Sequence, residues 1–186
     1  MKSERLFQQF FVDAFRQYVL PWTGTPFDDY LLEDFELVKR DYKVYIFPNA
    51  VYVPARLRVS IRRKIEDQGA LAIFFCAPGY VDGKGASLRN VRDLTGIQLG
   101  VQGTTDFLQV DIVNRNHPFT RNAAGASYGT DMDPNVFNDL QEWLKFPSDR
   151  AAYRFHPLFY AADPDAETLG LLRKTGRAGL VTKKMG

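Results

Sequence analysis

Cysteine is almost absent from this sequence, and that absence narrows the field. A single thiol, Cys76, can form no internal disulfide and cannot supply a cysteine-rich zinc site. Histidine is nearly as scarce: His117 and His156 leave little from which to build an imidazole metal centre. No excess of one charge exists either. The 24 basic residues are balanced by 22 acidic ones, so at a net charge of +2 nothing global points to nucleic acid or an anionic membrane. Long apolar runs are also missing. The longest, residues 70–77, is far short of the roughly 20 residues that a membrane-spanning helix needs. Lys2, Glu4, Arg5, Asp13 and Arg16 interrupt the stretch where a secretory signal requires an unbroken apolar core. The expectation is a chain that carries no export signal of its own. It is cytoplasmic if complete, and of open compartment if it is part of a longer protein.

What the sequence does contain is an ordinary globular composition. Of its 186 residues 45% are hydrophobic, and 15 are phenylalanine. A single domain spanning 1–186 is expected. Leu6, Phe7, Phe10, Phe11, Ala14, Phe15 and Tyr18 recur at three- and four-residue steps and predict an amphipathic helix over 3–19. Strands are expected at 27–32 and 43–47, then a helix over 54–68 with Pro54 at its start and Gly69 past its end. The continuously apolar stretch 70–76 reads as a strand buried on both faces. A short helix capped by Ser87 and stopped by Gly96 follows, with a strand at 107–113 and a polar loop over 114–132. A helix from Asp133–Pro134, a strand at 155–161 and a strand pair over 168–183 complete the reading. Strands alternating with helices predict an α/β fold, an open and mostly parallel sheet with helices on both faces. Because the chain starts on a helix and stops just after a strand, the expectation includes a sheet incomplete at both ends.

Four segments carry a resemblance. Residues 30–34 (Tyr-Leu-Leu-Glu-Asp), 45–50 (Tyr-Ile-Phe-Pro-Asn-Ala), 77–80 (Ala-Pro-Gly-Tyr) and 94–97 (Leu-Thr-Gly-Ile) arrive in a characteristic order. With residues 163–165 and 179–181, that order resembles the glutamine-amidotransferase-like, trimerisation-type domain of β-galactosidase-like bacterial proteins related to glycoside hydrolase family 42. The resemblance implies a flavodoxin-like, class I glutamine-amidotransferase-like sandwich that does no chemistry. It would shape a carbohydrate cleft or pack subunits together, with the catalytic carboxylates on another domain. The partners it implies are the remainder of a glycoside-hydrolase-like chain or a homo-oligomer, and a carbohydrate, with no cofactor, metal, nucleic acid or membrane.

The residues themselves offer alternatives. Cys76 closes the most apolar strand, where an amidotransferase-type hydrolase holds its nucleophile. Such an elbow wants small neighbours two residues away on each side, and Phe74 and Pro78 stand there. Residues 79–85 hint at a phosphate loop, but the glycine spacing is one short and Gly85 follows Lys84 where a hydroxyl is required. Asp163, Asp165 and Glu167 suggest a calcium loop, yet Thr168 stands where glycine should, and Lys174 takes the last ligand position. Arg56, Arg58, Arg62, Arg63 and Lys64 make the 54–68 helix basic without a base-reading element beside it. In open α/β sheets ligands meet the carboxyl ends of the strands. That rule selects Asp34, Asn49, Gly79 and Tyr80 as candidate binding residues, in a free-standing carbohydrate-binding module or at the edge of a cleft.

Overall fold

Pro54, with φ fixed near helical values, precedes a seam of Leu57, Ile61 and Ile65, and these residues nucleate the longest helix among the described residues. The computed structural model describes residues 12–13, 15–103, 109–123, 125–128 and 158–185. Two compact units divide the chain, Met1–Gln98 with Met185–Gly186, and Leu99–Lys184.

The first unit is built on a βαβ element. Strand β1 (Val44–Phe47) leads to helix α1 (Ala55–Gln68) and back to β2 (Leu71–Phe74). The strands run parallel, with Tyr45 opposite Ala72 and Phe47 opposite Phe74. Gly69 ends α1 in the left-handed conformation, its N–H shared between the carbonyls of Ile65 and Glu66. Tyr45 and Phe47 bury one face of the pair against Leu57, Ile61, Ile65 and Phe35, and Phe47 stacks on Phe74 with ring centroids 4.7 Å apart. Phe35 comes from a short 3₁₀ helix, Leu32–Leu37. A small hairpin of β3 (Val81–Asp82) and β4 (Gly85–Ala86) precedes helix α2 (Leu88–Thr95). The Ser87 hydroxyl caps α2 by accepting from the Arg89 N–H at 3.2 Å.

The second unit is a six-stranded sheet of β5 (Leu99–Gln102), β6 (Val110–Ile112), β7 (Ser127–Tyr128), β8 (Leu158–Ala161), β9 (Glu167–Leu172) and β10 (Ala178–Thr182). Its order is β5-β8-β10-β9-β6-β7, and every pairing in it is antiparallel. Leu158, Leu169 and Leu172 are buried. Arg173 ties three strands together by donating to Asp111 at 2.8 Å and to the Ser127 hydroxyl at 2.6 Å.

The expected flavodoxin-like, amidotransferase-like α/β fold is therefore incorrect. A mostly antiparallel sheet dominates, and the parallel part is two strands wide. The physical reason lies in the connections. A parallel neighbour needs a crossover of a dozen or more residues, whereas β9 and β10 are joined by the short turn 173–177 and can only run antiparallel. The β1–α1–β2 crossover gives a parallel pair, whereas the strand that follows α2, β5, joins the antiparallel sheet. Other expectations shift locally. Residues 25–31 are irregular rather than a strand and lead into the 3₁₀ helix. The 70–76 strand is shorter than expected and half-exposed rather than buried on both faces. Residues 3–11 and 14 of the helix expected over 3–19, and the helix expected from Asp133, lie outside the described residues. From Phe15 the chain is helical to Trp22.

Candidate functional site

At the carboxyl ends of β1 and β2 the two following loops bind each other through their backbones. The Gly79 N–H donates to the Ala50 carbonyl at 2.6 Å, and Val51 and Val53 exchange bonds with Val81, both at 3.0 Å. Asn49 and Gly79 are thereby brought to one place, Asn49 exposed and Gly79 buried, with Tyr80 half-buried beside them. Gly79 has a φ of 70°, and a Cβ there would lie 3.3 Å from both Arg58 and Leu94, so only glycine fits without strain. Asp34 sits exposed on the 3₁₀ helix, next to the Phe35 that packs on Phe47.

Behind these loops lies a buried polar clamp. The Arg58 guanidinium donates to the Val53 carbonyl at 2.9 Å, to Asn90 Oδ1 at 3.2 Å, and to Asp82 Oδ2 at 3.3 Å and 3.4 Å. The other carboxylate oxygen of Asp82 accepts from the Lys84 N–H at 2.8 Å and the Gly85 N–H at 3.2 Å. Those amide bonds, first of all that from Lys84, and then Arg58, hold the Asp82 carboxyl below its usual range. This accounts for the 79–85 glycine loop: two of the amides a phosphate would use already serve Asp82.

The other charged motifs have internal explanations too. Arg56 pairs with Glu36 at 3.0 Å, Arg62 with Glu66 at 2.7 Å and Arg63 with Asp67 at 3.4 Å. Lys64 donates to the Val38 carbonyl. The acidic turn holds an ammonium in place of a metal: Lys183 Nζ lies 2.9 Å and 2.8 Å from the two oxygens of Asp163 and 3.9 Å from Asp165. Among the described residues no group of three or more acidic, His or Cys side chains could hold a metal ion.

Cys76 has a φ of 59°, the only positive value at a non-glycine position among the described residues. That strained turn directly after a strand is what a nucleophile elbow requires, and nothing in the sequence announces it. The chemistry is less accommodating. Although the residue is exposed at the surface, neighbouring protein crowds its thiol and desolvation pushes it up to about 11. Both histidines belong to the second unit. His117 accepts from the Phe119 N–H through Nδ1 at 3.2 Å and lies 3.9 Å from Glu167, and His156 lies outside the described residues. A thiol raised in this way is protonated at neutral pH, and its contribution to stability is present below the ordinary thiol value and is lost as pH climbs towards 11. Iodoacetamide is thus expected to alkylate the folded chain slowly at pH 7, with a rate that rises through about pH 11. The urea-unfolded chain should react as an ordinary thiol. Rapid alkylation of the folded chain at neutral pH would return Cys76 to the role of nucleophile.

A second cluster lies at the opposite, amino end of β1, and the carboxyl-end rule overlooks it. The Tyr42 hydroxyl donates to Asp28 and meets the Tyr30 hydroxyl at 2.9 Å. Arg40 pairs with Asp28 at 3.1 Å and its guanidinium lies 5.4 Å from the centre of the Tyr42 ring. The two rings meet edge to face at 6.3 Å. The Asp28 carboxylate, and after it Tyr30, hold the Tyr42 hydroxyl protonated well above its usual range. Tyr30 remains 52% exposed, so the cluster presents an aromatic ring, a carboxylate and a guanidinium to solvent together. Phe27 and Trp22, both exposed, stand in the same stretch of chain. Comparison of the chain with family models, with curated proteins and with solved structures finds no match.

Proposed function

We propose that this chain is a non-catalytic accessory domain that contributes to the edge of a carbohydrate cleft in a larger, glycoside-hydrolase-like protein. The observation that carries the reading is the surface cluster of Tyr30, Tyr42, Asp28 and Arg40. A sugar offers an apolar C–H face and a rim of hydroxyls. An exposed tyrosine ring accepts the first, and a carboxylate next to a guanidinium, fixed in position by each other, accepts and donates to the second. The order of sequence motifs that resembles family 42-related proteins supports the same setting, in which the reacting carboxylates lie elsewhere.

The test is titration of the chain with galactosides and other neutral oligosaccharides, followed by amide chemical shifts and aromatic fluorescence. Tyr30→Ala and Asp28→Asn are expected to abolish the response, because each removes a solvent-facing contact and leaves the core intact. Asn49→Ala and Tyr80→Ala, at the other end of β1, should leave it in place. No response to any saccharide, or one that survives both amino-end variants, would sink the proposal.

A further inference from the structure

His117 is the only histidine among the described residues, and its two ring nitrogens face different parts of the second unit. Nδ1 accepts from the Phe119 N–H, two residues on in the same loop, at 3.2 Å. Nε2 lies 3.9 Å from Glu167 Oε2 on β9. The other oxygen of that carboxylate accepts from the Asn114 side-chain amide at 2.8 Å. The imidazole is half-buried, and the Phe119 ring meets it edge to face with centroids 4.9 Å apart. Phe119 itself is 58% exposed.

A neutral imidazole carries one donor and one acceptor, and an imidazolium carries two donors. These surroundings select the neutral form with its proton on Nε2, which turns a lone pair to Phe119 and an N–H to Glu167. The other neutral form would set donor against donor at Nδ1 and acceptor against acceptor at Nε2. The imidazolium suits Glu167 but not Phe119. Protonation therefore keeps one contact and turns the other from attraction into repulsion. The rest of the turn does not depend on the ring. The Thr120 and Arg121 N–H groups both donate to the His117 carbonyl, at 3.0 Å and 2.9 Å, and the Thr120 hydroxyl donates to the Asn114 carbonyl. Among the described residues Glu167 is the charged group from β9 within ion-pair reach of the ring. Arg115 and Arg121 of the same loop are exposed. On β10's side, Lys183 follows the Thr182 that pairs with Glu167, and Asp163 holds its ammonium. We propose that His117 is a pH-sensitive latch on the 114–123 loop: the neutral ring holds Phe119, and the protonated ring releases it while staying on Glu167.

Nuclear magnetic resonance of the ¹⁵N-labelled full-length chain tests this directly. Ring nitrogen spectra at about pH 8 should show the proton of His117 on Nε2, and a proton on Nδ1 would overturn the proposal. The pH is then lowered to about 5, across the range in which imidazoles titrate. Protection of the Phe119 amide from solvent exchange, relative to an unstructured peptide at each pH, should fall about tenfold or more. The Thr120 and Arg121 amides, whose acceptor is a backbone carbonyl, should keep theirs. Constant protection at Phe119, or equal losses at all three amides, would contradict the latch. His117→Asn supplies the control. Its side-chain carbonyl can accept from the Phe119 N–H as Nδ1 does and takes up no proton in this range. In that variant the Phe119 amide should be equally protected at both pH values. A loss that persists there would trace the change to another group and overturn the proposal.

Discussion

Arg58→Met is expected to destabilise the protein by about 3–5 kcal/mol, the summed cost of leaving buried acceptors without a donor. Arg58 is only 6% exposed, and methionine can occupy the space of its stem but not its donor pattern. The Val53 carbonyl and Asn90 Oδ1 lose a donor inside the protein, and the Asp82 carboxylate keeps only the Lys84 and Gly85 amides. Because they belong to the loop after β1, the β3–β4 hairpin and α2, the damage should spread through the first unit. Urea unfolding followed by circular dichroism measures it, and a loss below about 1 kcal/mol would show that the clamp is solvated rather than buried. The pH dependence gives a second check. A depressed carboxyl lends stability above its unfolded pKa and loses it as pH falls through the folded value. Without Arg58 the Asp82 carboxyl should move up towards the ordinary range, so acid unfolding should begin at a higher pH in the variant.

Lys183→Met should have the next largest effect, about 2–4 kcal/mol, with its damage in the second unit. The Asp163 side chain is 5% exposed and both of its oxygens receive the Lys183 ammonium. Removing that cation takes the charged donor from both oxygens, while the Asp165 N–H, 3.0 Å from Oδ1, is among the bonds that stay. Combining the change with Asp163→Asn should recover a large part of the loss, as expected of directly coupled groups. Calcium added to the unaltered chain should leave its Tm where it was, because the acidic turn already holds its counter-ion. A rise in Tm with calcium would show that the turn is a cation site.

Part of this architecture can be read from the residues and part cannot, for identifiable reasons. The β1–α1–β2 element is legible because each signal is local: Pro54 before the helix, the seam of Leu57, Ile61 and Ile65, and Gly69 after it. The β9–β10 hairpin is legible from the turn at 173–177. Strand direction in the second unit is not, since β5 pairs with β8 across a long stretch of chain and no periodicity encodes the partner. Of the candidate residues, Asn49 and Gly79 do converge, because a rule about strand ends needs only strand positions. The Tyr30–Tyr42 cluster escapes such a rule. Its members come from segments twelve residues apart, and the intervening 3₁₀ turn, taken for no element at all in the sequence, precedes the strand that brings them together. Nor does any pattern predict that Cys76 adopts a conformation glycine and asparagine prefer.

That last feature has a practical side. A protein whose sole native thiol stays protonated under physiological conditions is a ready background for site-directed probes. A cysteine introduced at an exposed position such as Val59 or Leu37 would outcompete Cys76 for a maleimide at neutral pH, so dyes and spin labels could be attached without first engineering the native residue away.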